Sequence, residues 1–288
     1  MDISLKEKID AKLQDIESLP TMPIIVNRLV ALAYNPEVDI KQLAGEISKD
    51  PAITASIIKL SNSAYFRPSG AKIRSVHEAI VTLGLNEVKD IVVIIASKDL
   101  LITPMDAYKM DDRALWDHSL LVGEISSRIA KKKRGKTPPD VAFTAGLLHD
   151  IGKVVMIQFF SKIYRQLIME MERTPKARFS DLEKKYLGYN HNELGGRLLS
   201  IWNFPEELVE AAVCVNRPED AAVNPELCCM VHIANAIALT SGVGVDIGGL
   251  NESLSDFAIK KLGLSEAVLQ EFYHSVPEYC QALEDLKV

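Results

Sequence analysis

The sequence has few cysteines, no long uninterrupted apolar run and no excess of positive charge. Its four cysteines, Cys214, Cys228, Cys229 and Cys280, fit no CxxC spacing, so we expect small buried or half-buried thiols in a reducing cytoplasm. No segment approaches the roughly 18 consecutive apolar residues of a transmembrane helix, and the N-terminus is charged where a signal peptide would be apolar. A net charge of −6 gives no overall attraction to nucleic acid or anionic membrane. These absences predict a cytoplasmic protein that does not bind membranes.

Strand signals are missing as well, whereas helix signals recur along most of the chain. No hairpin dipeptide lies between alternating apolar runs. Asp50 precedes a proline, as an N-cap precedes the first helical residue. Ser75 opens a helix that Gly84 closes, and Asn86 opens the next. The run Val92–Ile95 has β-propensity, but its long helical frame favours helix. We therefore predict an all-α protein, a multi-helix bundle with an N-terminal helical subdomain.

Two stretches of low periodicity interrupt these helices. Ile102–Asp112 predicts a boundary between an N-terminal half, residues 1–103, and a C-terminal half, residues 104–288. Lys131–Pro139 is rich in lysine, and we interpret it as a solvated loop, with a phosphate or nucleic-acid contact as the alternative. The turn at Gly84 is compatible with a DNA-binding helix-turn-helix. The helix after it is mostly aliphatic with few basic residues, which favours a buried packing helix and makes DNA binding a poor fit.

The run from Gly146 to Lys153, GLLHDIGK, is the most informative motif. His149 and Asp150 stand side by side in an apolar stretch that predicts a buried helix. Burying two ionisable groups without partners costs several kcal/mol. A divalent metal would partner both, because His, Asp and water are ligands that suit Zn, Mn or Fe.

Three further histidines lie on apolar faces of predicted helices. They are His118, His191 and His232, the last of which precedes Asn235 by about one turn. One buried histidine is usually only a hydrogen-bonded core residue. Four inward-facing histidines, one of them next to an aspartate, favour a shared polar centre, with His118 and His191 as the expected partners of the His-Asp pair.

The order His118, His149-Asp150 and Asn235 resembles the H…HD…D frame of the HD superfamily of metal-dependent phosphohydrolases. The resemblance implies that these positions hold a metal whose bound water attacks phosphorus. Lys153, one turn after the pair, would then neutralise a phosphate.

Other motifs make the resemblance more specific, because together they are similar to the HDOD domain and follow its order. They are Leu19–Pro23, Ile47–Thr54, Leu60–Phe66, Ser75–Gly84 and Asn190–Gly196, with Trp202 and Pro205 after the last. The resemblance implies one all-helical domain over about residues 19–240, related to HD-GYP cyclic-di-GMP phosphodiesterases. HDOD domains belong to bacterial signalling and are thought to act without HD-type catalysis.

The chain departs from the HD pattern at several positions. Asn235 replaces the last aspartate, Val215-Asn216 replaces a His-His pair, and the Gly-Tyr-Pro signature is absent. The resemblance therefore implies a degenerate site of His118, His149, Asp150 and Asn235, with no metal or a weakly held Fe, Mn or Zn. His191 and Lys153 are the candidate ligand-binding residues.

These departures favour a non-catalytic signalling module over an enzyme. Such a module would bind a signalling protein partner or a small nucleotide through the degenerate site. The alternative is a metal-dependent phosphohydrolase that acts on a phosphomonoester or a cyclic (di)nucleotide.

Overall fold

The computed structural model describes residues 40–67, 69–174, 177–245 and 254–286, and the motif Leu19–Pro23 lies outside them. Within these ranges the chain is helical, and the only extended pairing is an isolated bridge between Met105 and Met110. The all-α prediction is confirmed. The described residues form thirteen α-helices, which are α1 (Ile40–Ile47), α2 (Pro51–Ser61), α3 (Val76–Leu83), α4 (Leu85–Leu101), α5 (Ala114–Lys133), α6 (Pro139–Leu148), α7 (Gly152–Arg173), α8 (Phe179–Leu187), α9 (His191–Ile201), α10 (Glu206–Cys214), α11 (Pro225–Thr240), α12 (Asp256–Leu262) and α13 (Glu266–Leu283).

The N-terminal helices begin and end at the residues that carry cap chemistry. The Asp50 carboxylate accepts hydrogen bonds from the first backbone N–H groups of α2, and Ser75 Oγ accepts one from Glu78 N at the start of α3. Helix α4 begins at Leu85, one residue before the predicted Asn86. Gly84, at φ 102°, is the C-cap of α3 and also the N-cap of α4, so a single described residue separates the two helices.

Helix α4 is a packing helix, as its aliphatic sequence predicts. Its residues Val88 and Ile91 to Ile94 are buried, so the segment Val92–Ile95 is helical and lies mostly in the core. A helix buried in this way cannot present a face to a DNA groove.

Helix α11 is the most deeply buried helix that the structure describes. Every residue from Leu227 to Leu239 is buried, as expected for a helix that is apolar on all sides. It packs against α5 and α6, which also pack against each other. One apolar core extends from Leu43 to Leu286, and the division of the chain at residue 103 stays a prediction. None of the helices described has both the length and the apolar character needed to cross a bilayer.

The cysteines lie within or next to the core, as their sequence pattern predicts. All four cysteines are free thiols, three of them buried and Cys280 half-buried, and burial raises the pKa of Cys214 and of Cys229 to about 11.

The predicted loop Lys131–Pro139 is shorter than expected. Helix α5 continues through Lys133 and α6 begins at Pro139, so only residues 134–138 form the connection.

Two close backbone contacts between helices bring the motif residues together. Helix α5 approaches α6 where Gly146 meets Gly123, and a Cβ at Gly146 would lie 2.7 Å from Val122 O and 2.8 Å from Gly123 Cα. The start of α7 approaches α9, where a Cβ at Gly152 would overlap His191 O and lie 2.5 Å from Gly195 N. Only glycine allows backbones to approach this closely.

We expect Gly152→Ala to lower the free energy of unfolding by about 3 kcal/mol or more, because the added methyl group meets backbone atoms that cannot rotate away. Gly45→Ala is the control, since a Cβ there would meet nothing within 4 Å. On an exposed helical site this change should raise stability by up to about 1 kcal/mol. Urea unfolding followed by far-UV circular dichroism measures both values, and similar values for the two variants would contradict the close contact.

Candidate functional site

His149 and Asp150 lie in a tight turn between α6 and α7, not inside a helix as the sequence predicted. Helix α6 ends at Leu148 and α7 begins at Gly152. Backbone hydrogen bonds from Ile151 N to Leu148 O and from Lys153 N to Asp150 O span three residues instead of four. His149 and Ile151 keep right-handed helical φ and ψ angles through this turn. The apolar helical pattern therefore continues through a bend that the pattern alone cannot reveal.

The turn places the His-Asp pair beside His118 and His191. His118, His149 and Asp150 offer three ligand atoms that all lie within 4.8 Å of one another. Asp150 Oδ2 is 3.4 Å from His149 Nε2 and 3.9 Å from His118 Nε2, and Asp150 Oδ1 is 3.7 Å from His191 Nε2. His118, His149 and Asp150 are at most 3% exposed, so the cluster is enclosed by the helices that carry it.

Backbone carbonyl groups fix the orientation of two imidazole rings. His118 Nδ1 lies 3.0 Å from Val243 O, and His149 Nδ1 lies 2.7 Å from Gly146 O. A carbonyl oxygen only accepts, so each Nδ1 is the atom that carries hydrogen and donates it. In the neutral tautomer each Nε2 then carries a lone pair.

Both Nε2 atoms are buried and lack a hydrogen-bond partner in the described structure. Burial, with the charge of His149 next, lowers the pKa of His118 to about 4, so that ring is neutral near pH 7. When both rings are neutral, their Nε2 lone pairs and the Asp150 carboxylate oxygen repel one another unless a cation lies between them. This donor set fits a divalent transition metal.

The buried ammonium group of Lys153 already provides one positive charge at Asp150. Lys153 Nζ donates to Asp150 Oδ2 over 2.6 Å, and it lies 5.5 Å from the centre of the Tyr108 ring. Burial raises the pKa of Asp150, but the charges of His149 and Lys153 outweigh that effect and hold it well below the usual value. The ammonium group of Lys153 is therefore buried and paired with the Asp150 carboxylate.

Sequence reasoning missed the partner of His191, which is Glu183 on α8. Glu183 is fully buried, and its Oε2 accepts from His191 Nδ1 over 2.6 Å and from the His191 backbone N–H over 2.9 Å. That N–H has no acceptor within the helix, because His191 is the first residue of α9, after an N-cap at Asn190. Burial lowers the pKa of His191, but Glu183 outweighs that effect and raises it overall.

Two tyrosines complete this polar network. Glu183 Oε1 accepts hydrogen bonds from Tyr108 OH over 2.9 Å and from Tyr164 OH over 2.7 Å. A signal for Glu183 was present in the sequence, since it stands on the same helical face as Phe179 and Leu182. A carboxylate on an apolar face requires a buried partner.

His232 does not belong to the shared polar centre, contrary to the expectation of four converging histidines. Its Nδ1 donates to Val215 O over 2.7 Å, and its Nε2 accepts from Ser255 N over 2.9 Å. Because both ring nitrogens are satisfied, this histidine is a structural core residue. Asn235 is on the same helix and is nearly buried, and its Oδ1 has no hydrogen-bond partner among the described residues. Helix α11 packs against α5 and α6, the helices that lead to His118 and His149.

Comparison with known proteins shows which family and which solved structures this chain resembles. A family model of the HDOD domain matches residues 19–218. The chain is also 25% identical over 206 residues to an uncharacterized protein of Treponema pallidum, and the match covers 71% of this chain and 38% of that relative. The chain thus spans less than half the length of the curated relative that it matches.

Solved structures share the fold at low sequence identity. An HDOD domain protein of unknown function from Geobacter sulfurreducens has a TM-score of 0.78 at 24% identity, over 98% of this chain and 97% of that one. A protein of Marinobacter aquaeolei, provisionally named a signal transduction protein, has a TM-score of 0.79 at 21% identity, over 99% of this chain and 65% of that one. A Shewanella amazonensis protein, provisionally named a metal-dependent phosphohydrolase, has a TM-score of 0.56 at 22% identity, over 96% and 98% of the two chains.

We expect stability to fall between pH 6.5 and pH 4 because of His118. Its pKa is about 4 in the folded chain and about 6.5 when unfolded. The unfolded chain therefore binds more protons in this window, and the contribution of the neutral ring, about 3 kcal/mol, is present above pH 6.5 and lost as pH falls towards 4.

Urea unfolding in the presence of a chelator, measured from pH 7 to pH 4, checks this expectation. His118→Asn keeps an N–H donor for Val243 O. It should make the plot of unfolding free energy against pH flatter, because about one proton fewer is taken up on unfolding in this window. His274→Asn, a change at an exposed histidine, is the control. Parallel profiles for His118→Asn and the unmodified protein would mean that folding does not lower the pKa of His118.

Proposed function

The chain belongs to the HDOD domain family, and from that premise we propose that it is a non-catalytic signal-transduction module. In this proposal the degenerate HD site is a structural centre inside the domain, and the module acts by binding a signalling protein partner. The burial of the site is the observation that carries the proposal.

Hydrolysis at an HD-type centre requires the phosphorus atom of a substrate to reach a metal-bound water. His149 is fully buried, and His118 and Asp150 are 1% and 3% exposed. A phosphate ester cannot contact these side chains unless α5, α6 or α9 moves apart from the others. The same enclosure favours a protein partner at the surface over a nucleotide ligand held by the site itself.

The charges within the site support the same proposal. Lys153 Nζ is bonded to the Asp150 oxygen that faces both imidazoles, so the carboxylate is neutralised without a metal. In this proposal Asn235 supplies a neutral amide to the site where a carboxylate would add negative charge, and a site with fewer anionic ligands holds a divalent ion more weakly. A structural centre requires only that its buried charges are balanced, whereas a hydrolytic centre also requires a firmly held metal.

The site can still accommodate a metal, because Nε2 of His118 and Nε2 of His149 have no hydrogen-bond partner among the described residues. His118, His149 and Asp150 would hold a single Fe, Mn or Zn, with Asn235 as a further oxygen ligand. Bound there, the metal would act as a Lewis acid and lower the pKa of a bound water. The alternative function, a metal-dependent phosphohydrolase, rests on this donor set.

Assays of purified protein decide between the two functions. We expect no hydrolysis of cyclic-di-GMP or of p-nitrophenyl phosphate above the rate of His149→Ala, with or without added Mn or Fe, because the buried site excludes substrate. Metal content is measured in parallel after purification without chelator. Turnover that co-purifies with the protein, requires metal and disappears in His149→Ala would establish the phosphohydrolase instead.

Asn235→Asp tests whether residue 235 is part of the same site. We expect a second carboxylate next to Asp150 to destabilise the chelated protein, because like charges at close range drive one carboxylate to protonate. With Mn, Fe or Zn present, the added anionic ligand should increase metal affinity and restore stability. Thermal melts with chelator and with each metal measure both effects.

Asn235→Ala is the matched control, because it removes the amide without adding charge. Equal destabilisation of Asn235→Asp in chelator and in metal would show that Asn235 is an ordinary core amide, away from the His118 cluster.

A further inference from the structure

A second, positively charged site lies at the opposite end of α5 from His118. Lys133 and Arg134 at the end of α5, Lys136 in the following loop and Lys261 at the end of α12 line one cavity of about 720 Å³ at the start of α11. We call this cavity the basic groove. Lys133 stands fifteen positions after His118 in α5, which is about 22 Å along the helix. We propose that the basic groove binds a small oligophosphate anion, independently of the HD-like site.

The cations of the basic groove are largely uncompensated. Arg134, Lys136 and Lys261 are exposed and form no ion pair with any residue that the structure describes. Lys133 donates to Leu262 O over 3.0 Å and lies 3.9 Å from Glu226 Oε1. The chain as a whole carries a net charge of −6, so this local positive charge runs against the overall balance. Positive charges from three elements that converge on one cavity attract an anion.

The floor of the basic groove is fixed by hydrogen bonds. Asn224 Oδ1 accepts from Leu227 N over 3.1 Å, and Asn224 Nδ2 donates to Glu207 Oε2 over 2.7 Å. The backbone N–H of Asn224 donates to Glu210 Oε2 over 2.7 Å. Thr137, which lines the cavity, is buried. A floor held in this way does not have to be ordered when a ligand binds, which lowers the entropic cost of binding.

The start of α11 adds a favourable electrostatic field. Pro225 and Glu226 line the cavity as the first two residues of this 16-residue helix. The N-terminal end of a helix carries partial positive charge, which favours phosphate oxygens. Arginine binds phosphate through paired N–H groups, and lysine binds it as a point charge. The combination of Arg134 with lysines therefore suits a phosphate ligand.

The dimensions and the charge balance favour a small ligand over a polymer. A cavity of about 720 Å³ is within the usual range of small-molecule sites, roughly 300 to 1,000 Å³. Three unpaired cations match the charge of a di- or triphosphate. An extended nucleic acid would need cations along a longer path and would be repelled by a surface that is acidic overall.

Glu226 acts as an internal competitor for the same cations. Among the described residues that line the basic groove, Glu226 is the only acidic one, and its carboxylate approaches Lys133. An incoming phosphate must overcome the repulsion of this carboxylate. The sign of one substitution follows: Glu226→Gln should strengthen anion binding, whereas the removal of any groove cation should weaken it.

Isothermal titration with sodium tripolyphosphate, at about 0.15 M salt to screen distant charges, tests the proposal. We expect saturable binding at one site, at least tenfold weaker binding in Arg134→Gln/Lys136→Gln, and severalfold stronger binding in Glu226→Gln. Thermal melts confirm that each variant is folded, which we expect because these side chains are at the surface.

Lys261→Gln and Lys260→Gln form a matched pair, because both residues are exposed lysines in the last turn of α12 but only Lys261 lines the groove. We expect Lys261→Gln to weaken binding severalfold and Lys260→Gln to change it less than twofold. Equal effects of the two variants, no binding at this salt concentration, or tighter binding of a DNA duplex than of tripolyphosphate would each overturn the proposal.

Discussion

The contact of helix backbones at glycines is the constraint on which the rest of this structure depends. Gly146 allows α6 to touch α5, so that His149, three residues later, reaches His118 across the contact. Gly152 allows the start of α7 to touch α9, so that Asp150, two residues earlier, reaches His191. A side chain at either position would separate the helices, and the polar groups would lose the short distances on which their burial depends.

The polar centre that results is close to electrically balanced by residues of the chain itself. Asp150 is paired with Lys153, and Glu183 accepts hydrogen bonds from His191 and from two tyrosine hydroxyl groups. A balanced network of this kind can remain buried without an ion, because each charge has a hydrogen-bonded partner. The remaining imbalance is small and local. It consists of the Nε2 atoms of His118 and His149, which have no hydrogen-bond partner among the described residues. The proposed structural role and the capacity for a weakly held metal follow from the same arrangement.

Helices α5 and α11 connect the two polar regions of the molecule. Helix α5 carries His118 near one end and Lys133 at the other, and α11 begins at the basic groove and carries Asn235 further along. The buried centre is enclosed and nearly neutral, whereas the basic groove is open and positively charged. This contrast is the physical reason for proposing a structural role for the first region and ligand binding for the second.

The sequence by itself determined the helical class and the family, and it singled out His118, His149 and Asp150, which the structure brings together. Caps at Asp50 and Ser75 predict helix starts because a side chain satisfies N–H groups next to it in the chain. Helical spacing places His118 on a buried face for the same local reason. Only the tertiary structure decided which buried groups meet. It placed His149 and Asp150 in a turn, paired Glu183 with His191, and separated His232 from the site. Those contacts join residues that are distant in sequence, and a periodic pattern records that a residue faces inward but not what lies opposite it.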